Sequence, residues 1–176
     1  MDERGAENFT LADACRLAGV STAAPYKHFR DKNEILQELI VQGFDQMAQS
    51  RKTAVANHDR GSVEGIIAMG RAYVDFAVRE PAVFRLMFAQ NPILKSAPHV
   101  QDHGRACFSG VIDDVATFCA VNNIQGNAGA IALQLWTFVH GAACLLIDED
   151  YEKVAPGLDV NALIAQAAPG LLGLTA

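Results

Sequence analysis

Three helix starts crowd the stretch from Phe9 to Leu36, and they leave room for little except short, tightly turned helices. In Phe9-Thr10-Leu11-Ala12-Asp13, Thr10 is placed as an N-cap, Asp13 as its capping-box partner and Phe9 as the staple in front. Leu11, Ala14, Cys15 and Ala18 follow at helical spacing until Gly19 stops the run after about two turns. Ser21 then caps a second short helix. Asp31-Lys32-Asn33-Glu34 opens a third, with Leu36, Leu39, Ile40, Gly43 and Met47 on one face. Two short capped helices over residues 11–18 and 22–29, joined by a tight turn containing glycine, form a helix-turn-helix.

The rest of the chain repeats the helical signal at greater length. Residues 62–79 read as one helix, stopped by Glu80-Pro81, and residues 81–89 as a short one with Pro at a first-turn position. Residues 91–98 read as a break. Longer helices follow over residues 99–121, 128–148 and 159–172, the first of them ended by Asn122-Asn123. No alternating run and no Asn-Gly hairpin signal is present. The predicted fold class is all-α, three short helices followed by five longer ones. The change in helix length places a boundary near residue 52, with one domain over residues 1–52 and a second over 53–176.

Composition narrows the function classes. With 51% apolar and 19% charged residues the chain has ample material for a core, which excludes a disordered or low-complexity protein. A net charge of −6 argues against a general nucleic-acid coat, so any such binding needs a local patch. One exists. Residues 16–32 carry Arg16, Lys27, Arg30 and Lys32 against Asp31 alone, a balance of +3, whereas residues 53–176 hold 7 basic and 12 acidic residues, a balance of −5. A basic short-helix module on an acidic helical body suits DNA binding by one end; the plainer reading of the patch is a solvated face. Cys15, Cys107, Cys119 and Cys144 form no C-x-x-C pair and the first residues are no signal peptide, so a reducing cytoplasm is expected and the thiols read as small core residues.

In the second short helix, backbone N–H groups after Ser21 face outward at the positive dipole end, a ready phosphate site, and Thr22 adds a hydroxyl. Tyr26, Lys27 and His28 lie one turn on, and Lys32 sits at the mouth of the next helix. The segment FTLADACRLAGVSTAAPYKHFRDKNEIL, through Phe9-Thr10, Ala14, Ala18-Gly19-Val20-Ser21, Tyr26, His28-Phe29, Lys32 and Leu36, resembles the DNA-binding region of the TetR family of bacterial transcriptional regulators. AVFRLMFA (residues 82–89) and LWTFVHGAA (residues 135–143), with Trp136, His140 and Gly141, resemble a TetR subgroup whose C-terminal domain carries a Trp-His-Gly signature.

The resemblance implies a two-fold dimer that reads the major groove of a pseudo-palindromic operator and represses until a small molecule fills its C-terminal domain. It places Thr22, Tyr26, Lys27, His28 and Lys32 on the DNA, mostly as phosphate contacts; Ser21 joins them through its helix start, and Ala23 and Ala24 could touch a thymine methyl. Pro25 stands where many members have Leu, tolerably so near a helix start. Most of the family's first helix has no counterpart before Gly5, so the expectation is a natural product that starts upstream of Met1 and binds operator more tightly than the chain as written.

For the second domain the expected effector is small, apolar and mostly uncharged. Residues 62–79 have two apolar faces, Ile66, Gly70, Val74 and Ala77 on one and Met69, Tyr73 and Phe76 on the other; such a helix is either wholly buried or lines a cavity. The expected lining is Met69, Tyr73, Phe76, Phe84, Met87, Phe88, Phe108, Trp136 and His140, against the plainer reading of ordinary core. Orientation is assigned to Tyr73, His140 or Thr137, with Arg71, Arg79 and Arg85 on outer faces. Residues 128–147 are uncharged and of membrane-spanning length, but Gln134, Thr137 and His140 interrupt them and no Lys or Arg flanks them. They read as a buried or interface helix rather than a span. Leu133, Leu146, Leu163 and Leu171 are the residues expected between the two copies of a homodimer.

His99, His103 and Cys107 at i, i+4 and i+8 share a face that could take zinc or nickel, but no fourth ligand is apparent, and neither a metal nor a cofactor is expected. No G-x-S-x-G, H-E-x-x-H, P-loop or Rossmann glycine pattern occurs, and no enzymatic activity is expected. The alternative to a regulator is a helical small-molecule-binding or interaction protein that no longer binds DNA.

Overall fold

The computed structural model describes residues 29–174, and the helix-turn-helix expected over residues 11–29 falls outside them except for its last residue, Phe29. Among the described residues the chain is helical without a strand: α1 (Lys32–Ala56), α2 (Val63–Arg79), α3 (Pro81–Phe88), α4 (Pro92–Lys95), α5 (Pro98–Asn122), α6 (Ala128–Ile147), α7 (Asp150–Val154) and α8 (Val160–Leu171).

Local chemistry sets most of the ends. Asp31 Oδ1 accepts from the Glu34 N–H at 3.0 Å, and the Glu34 carboxylate reaches back to the Arg30 N–H at 2.6 Å, one residue beyond the reciprocal bond of a standard capping box. That backbone N–H, reinforced by the Arg30 side chain, holds the Glu34 carboxyl below its ordinary value. Ser62, Asn127 and Asp159 cap α2, α6 and α8 by accepting N–H groups of the first turn. Asn123 follows α5 in the left-handed region at φ 56°, which explains why Asn122-Asn123 stops that helix.

Three expectations need correction. The third helix is not short: nothing in residues 48–56 breaks it, and α1 runs 25 residues to Ala56. Residues 91–98 are not a plain break, because Asn91 caps the single turn α4. The turn α7 carries no buried residue and announced itself by no apolar pattern.

The chain divides into two compact units, and α1 and α5 each contribute to both. The first comprises residues up to Asp45 together with Ala82–Ala106. Its core packs Phe84, Leu86, Met87, Leu94 and Val100. Gly43 is what lets α1 and α3 approach: a Cβ there would lie 2.6 Å from Met87 Sδ and 2.9 Å from Val83 Cγ1. Phe44 stacks edge-on against Phe88 at 6.4 Å.

The second unit comprises Gln46–Pro81 and Cys107–Ala176. Ile66, Met69, Val115, Phe118, Cys119, Ala132, Leu135 and Leu172 form its central cluster. Alongside that cluster, the Arg51 guanidinium is held by Asp114 and donates to the Gly110 carbonyl at 2.9 Å, tying α1 to α5. Gly110 has no side chain because the guanidinium occupies that space. Among the described residues, α6 alone is long and apolar enough to cross a membrane.

Candidate functional site

The second unit brings a polar chain into an apolar setting. The α2 helix packs on α6 and α8, and Gly70 is where they meet, with a Cβ on it coming 3.2 Å from Ile164 and 3.3 Å from Val139. One turn further along α2, Tyr73 therefore faces α6. On α6, Trp136, His140 and Cys144 recur every fourth residue and share a face.

These four side chains are linked in order. The Trp136 indole N–H donates to the Tyr73 hydroxyl oxygen at 3.1 Å. That oxygen lies 2.7 Å from His140 Nδ1, and His140 Nε2 lies 3.7 Å from Cys144 Sγ. The rings pack as well, Trp136 on His140 at 5.6 Å and Phe108 on Trp136 at 5.5 Å. Burial pushes the Tyr73 phenol well above its ordinary value, with the Cys144 and Cys107 thiols adding to the shift and the Trp136 N–H opposing it. Burial also lowers His140, which is therefore neutral at neutral pH.

A pH dependence follows. Because the folded value of His140 lies below 6.5, the unfolded chain takes up this proton first as pH falls. The stability His140 contributes is complete above about pH 6.5 and declines below it, toward the lowered folded value. The thermal midpoint is expected to be lower at pH 5.5 than at pH 7.5, and the gap to narrow in His140→Gln. An unchanged gap in that variant would remove His140 as its source.

The nine expected lining residues divide between the units. Met69, Tyr73, Phe76, Phe108, Trp136 and His140 belong to the second and Phe84, Met87 and Phe88 to the first, where Phe84 and Phe88 stack at 5.0 Å. Met69, Phe76, Phe84 and Met87 are buried; Tyr73, Phe88, Phe108, Trp136 and His140 are half-buried. The Thr137 hydroxyl is exposed and donates to the Leu133 carbonyl of its own helix. Arg79 is on an outer face, whereas Arg71 and Arg85 are half-buried; Arg71 donates to the Asn161 carbonyl, and its Nε is buried without a partner. Leu133 is exposed, and Leu146, Leu163 and Leu171 are half-buried.

Of the residues assigned to DNA, Lys32 is exposed in the first turn of α1, while Ser21, Thr22, Ala23, Ala24, Tyr26, Lys27 and His28 lie outside the described residues. His103 turns to Asp45 at 2.8 Å, His99 is exposed and Cys107 is buried; among the described residues no three His, Cys, Asp or Glu side chains converge on a metal position. The reading of Cys144 as plain core missed its contact with His140, although the four-residue spacing from His140 was there to show it.

Residues 1–39 match the profile of bacterial regulatory proteins of the tetR family, and residues 66–168 match the tetracyclin repressor-like C-terminal domain. Among curated proteins nothing matches. Solved structures share the architecture. A protein of unknown function from Rhodococcus sp. RHA1 is 28% identical with a TM-score of 0.78, over 99% of this chain and 88% of that one. The TetR family transcriptional regulator PfmR from Thermus thermophilus is 14% identical with a TM-score of 0.68, over 97% of this chain and 91% of that one.

Proposed function

The chain belongs to the TetR family of bacterial transcriptional regulators, and on that premise we propose that it is a repressor released from its operator by a small apolar effector. The observation that carries this reading is the match of residues 1–39 to the family's DNA-binding profile, beside a basic balance of +3 in residues 16–32. Residues 1–52 are the DNA-binding head and residues 53–176 the effector-binding and dimerisation body. Ser21, Thr22, Tyr26, Lys27, His28 and Lys32 hold phosphates, and Ala23 and Ala24 meet base edges.

The effector enters among Met69, Tyr73, Phe76, Phe108, Trp136 and His140 of the second unit; the other three expected lining residues, Phe84, Met87 and Phe88, belong to the first. The Tyr73–His140 pair gives a largely apolar lining one polar anchor. Two copies pair through Leu133, Leu146, Leu163 and Leu171, and the protein acts in the cytoplasm.

Selection from random duplex DNA followed by fluorescence anisotropy tests the reading. The expected product is a pseudo-palindrome bound far more tightly than random DNA, with affinity falling steeply as salt rises. Lys27→Ala is expected to reduce the slope of log K against log salt by about one. Enrichment of no sequence over random duplex would favour the helical binding protein without DNA activity.

A further inference from the structure

We propose that Cys144 is an activated thiol with His140 as its base, and that the effectors of this site include soft electrophiles of the α,β-unsaturated carbonyl class. The inference rests on the reading of the Tyr73–Trp136–His140 cluster as the effector site.

Three features of the geometry point to it. A nucleophile, a base within reach of it and a third group orienting the base are the arrangement that activates a thiol. Here Sγ of Cys144 lies 3.7 Å from Nε2 of His140, and Nδ1 of the same ring lies 2.7 Å from the Tyr73 oxygen. Second, of the three cysteines described, Cys107 and Cys119 are buried while Cys144 is half-exposed, so a reagent reaches it first. Third, Cys144 follows Trp136 and His140 along one face of α6, so the thiol, the imidazole and the indole on which Phe108 packs lie in line over two turns of one helix.

The hydrogen-bond directions are consistent with the chemistry. When the thiol donates to Nε2, the imidazole proton is on Nδ1 and donates to the Tyr73 oxygen, which also accepts from Trp136.

In the addition the S–H bond breaks and its proton passes to Nε2. The sulfur lone pair forms an S–C bond at the β-carbon, and the C=C π pair becomes an enolate. His140 then returns the proton to the α-carbon, leaving a thioether and a neutral imidazole. Atoms and electrons balance without an oxidant. The neutral imidazole of His140, with Nε2 facing the thiol, is the form that can take the proton.

The test uses the full chain with N-ethylmaleimide at one equivalent, followed by intact mass and peptide mapping. The Cys144 peptide is expected to react at least tenfold faster than those of Cys107 and Cys119, and the rate to fall at least fivefold in His140→Gln with a changed pH profile. A Cys144 no faster than the two buried thiols in the unmodified sequence overturns the proposal, whatever the variant does.

Operator anisotropy forms the second arm. Release by the maleimide, absent in Cys144→Ala, supports the assignment. Rapid labelling with unchanged operator affinity keeps the thiol but overturns electrophiles as effectors and the cluster as effector site. Release by an apolar compound that leaves Cys144 slow and unmodified keeps the effector site and overturns the thiol.

Discussion

Truncating Phe118 to Ala is expected to lower the unfolding free energy by about 3–5 kcal/mol. Phe118 is fully buried, and its neighbours come from four separate stretches: Ile66 and Met69 on α2, Val115 and Cys119 on α5, Ala132 and Leu135 on α6, and Leu172 just after α8. Two of them are β-branched and most sit on helices held by their own caps, so the space left by the ring cannot close by a rotamer change. Against a total of about 5–15 kcal/mol for an ordinary domain, the loss is a large share.

In urea unfolding the midpoint should fall while the slope stays the same. The damage should also reach the functional cluster. Phe108 packs on this core and stacks on Trp136, the only tryptophan of the chain, so the fluorescence of the folded variant should shift before any unfolding. A loss below about 1 kcal/mol would mean that the four stretches collapse onto the gap and that the core is softer than its burial implies.

What the sequence made legible was whatever is decided within a turn of helix. The starts at residues 31, 62 and 159 follow from side chains that accept the N–H three residues on, and the stop after residue 122 follows from an asparagine tolerant of the left-handed region. Trp136 and His140 fall on one face by spacing alone. The end of α1 was not legible, because polar composition after residue 47 is compatible with helix or loop and packing decides.

Partnerships across the chain were not legible either. Arg51 and Asp114 are 63 residues apart, and Tyr73 and His140 are 67 apart; no local rule brings them together. Periodicity placed each on its helix, whereas the link from indole N–H through phenol to imidazole depends on how α2 lies against α6. Phe118 carried no mark of its own among the aromatics of the chain, and only burial singles it out.

The second large effect concerns association, and it is expected from Gly141→Arg. Along α6, Ala130, Leu133, Gln134, Thr137, Gly141 and Leu145 form a stripe at helical spacing that is exposed or half-exposed, with half of the Leu133 surface open. A mostly apolar stripe of this length needs cover from lipid or protein. Asp148, Glu149 and Asp150 crowd one end of the helix and no Lys or Arg stands near the other, which disfavours lipid. A second copy offering the same stripe about a two-fold axis covers both at once.

At Gly141 a Cβ would meet nothing within 4 Å in its own chain. A longer side chain there leaves the fold of one copy intact and improves the local helix propensity. In the proposed dimer the same side chain would hold two facing copies of α6 apart and set two like charges in the contact. The dimer dissociation constant should rise at least 100-fold, about 2.7 kcal/mol, read by sedimentation over a micromolar concentration series. Far-UV dichroism should stay unchanged. An operator with two half-sites then loses the second head of its reader, so its affinity should drop while the affinity for a single half-site stays put. Wild-type affinity between Gly141→Arg copies would take α6 out of the interface, and a wild-type chain sedimenting as a monomer would overturn the pairing itself.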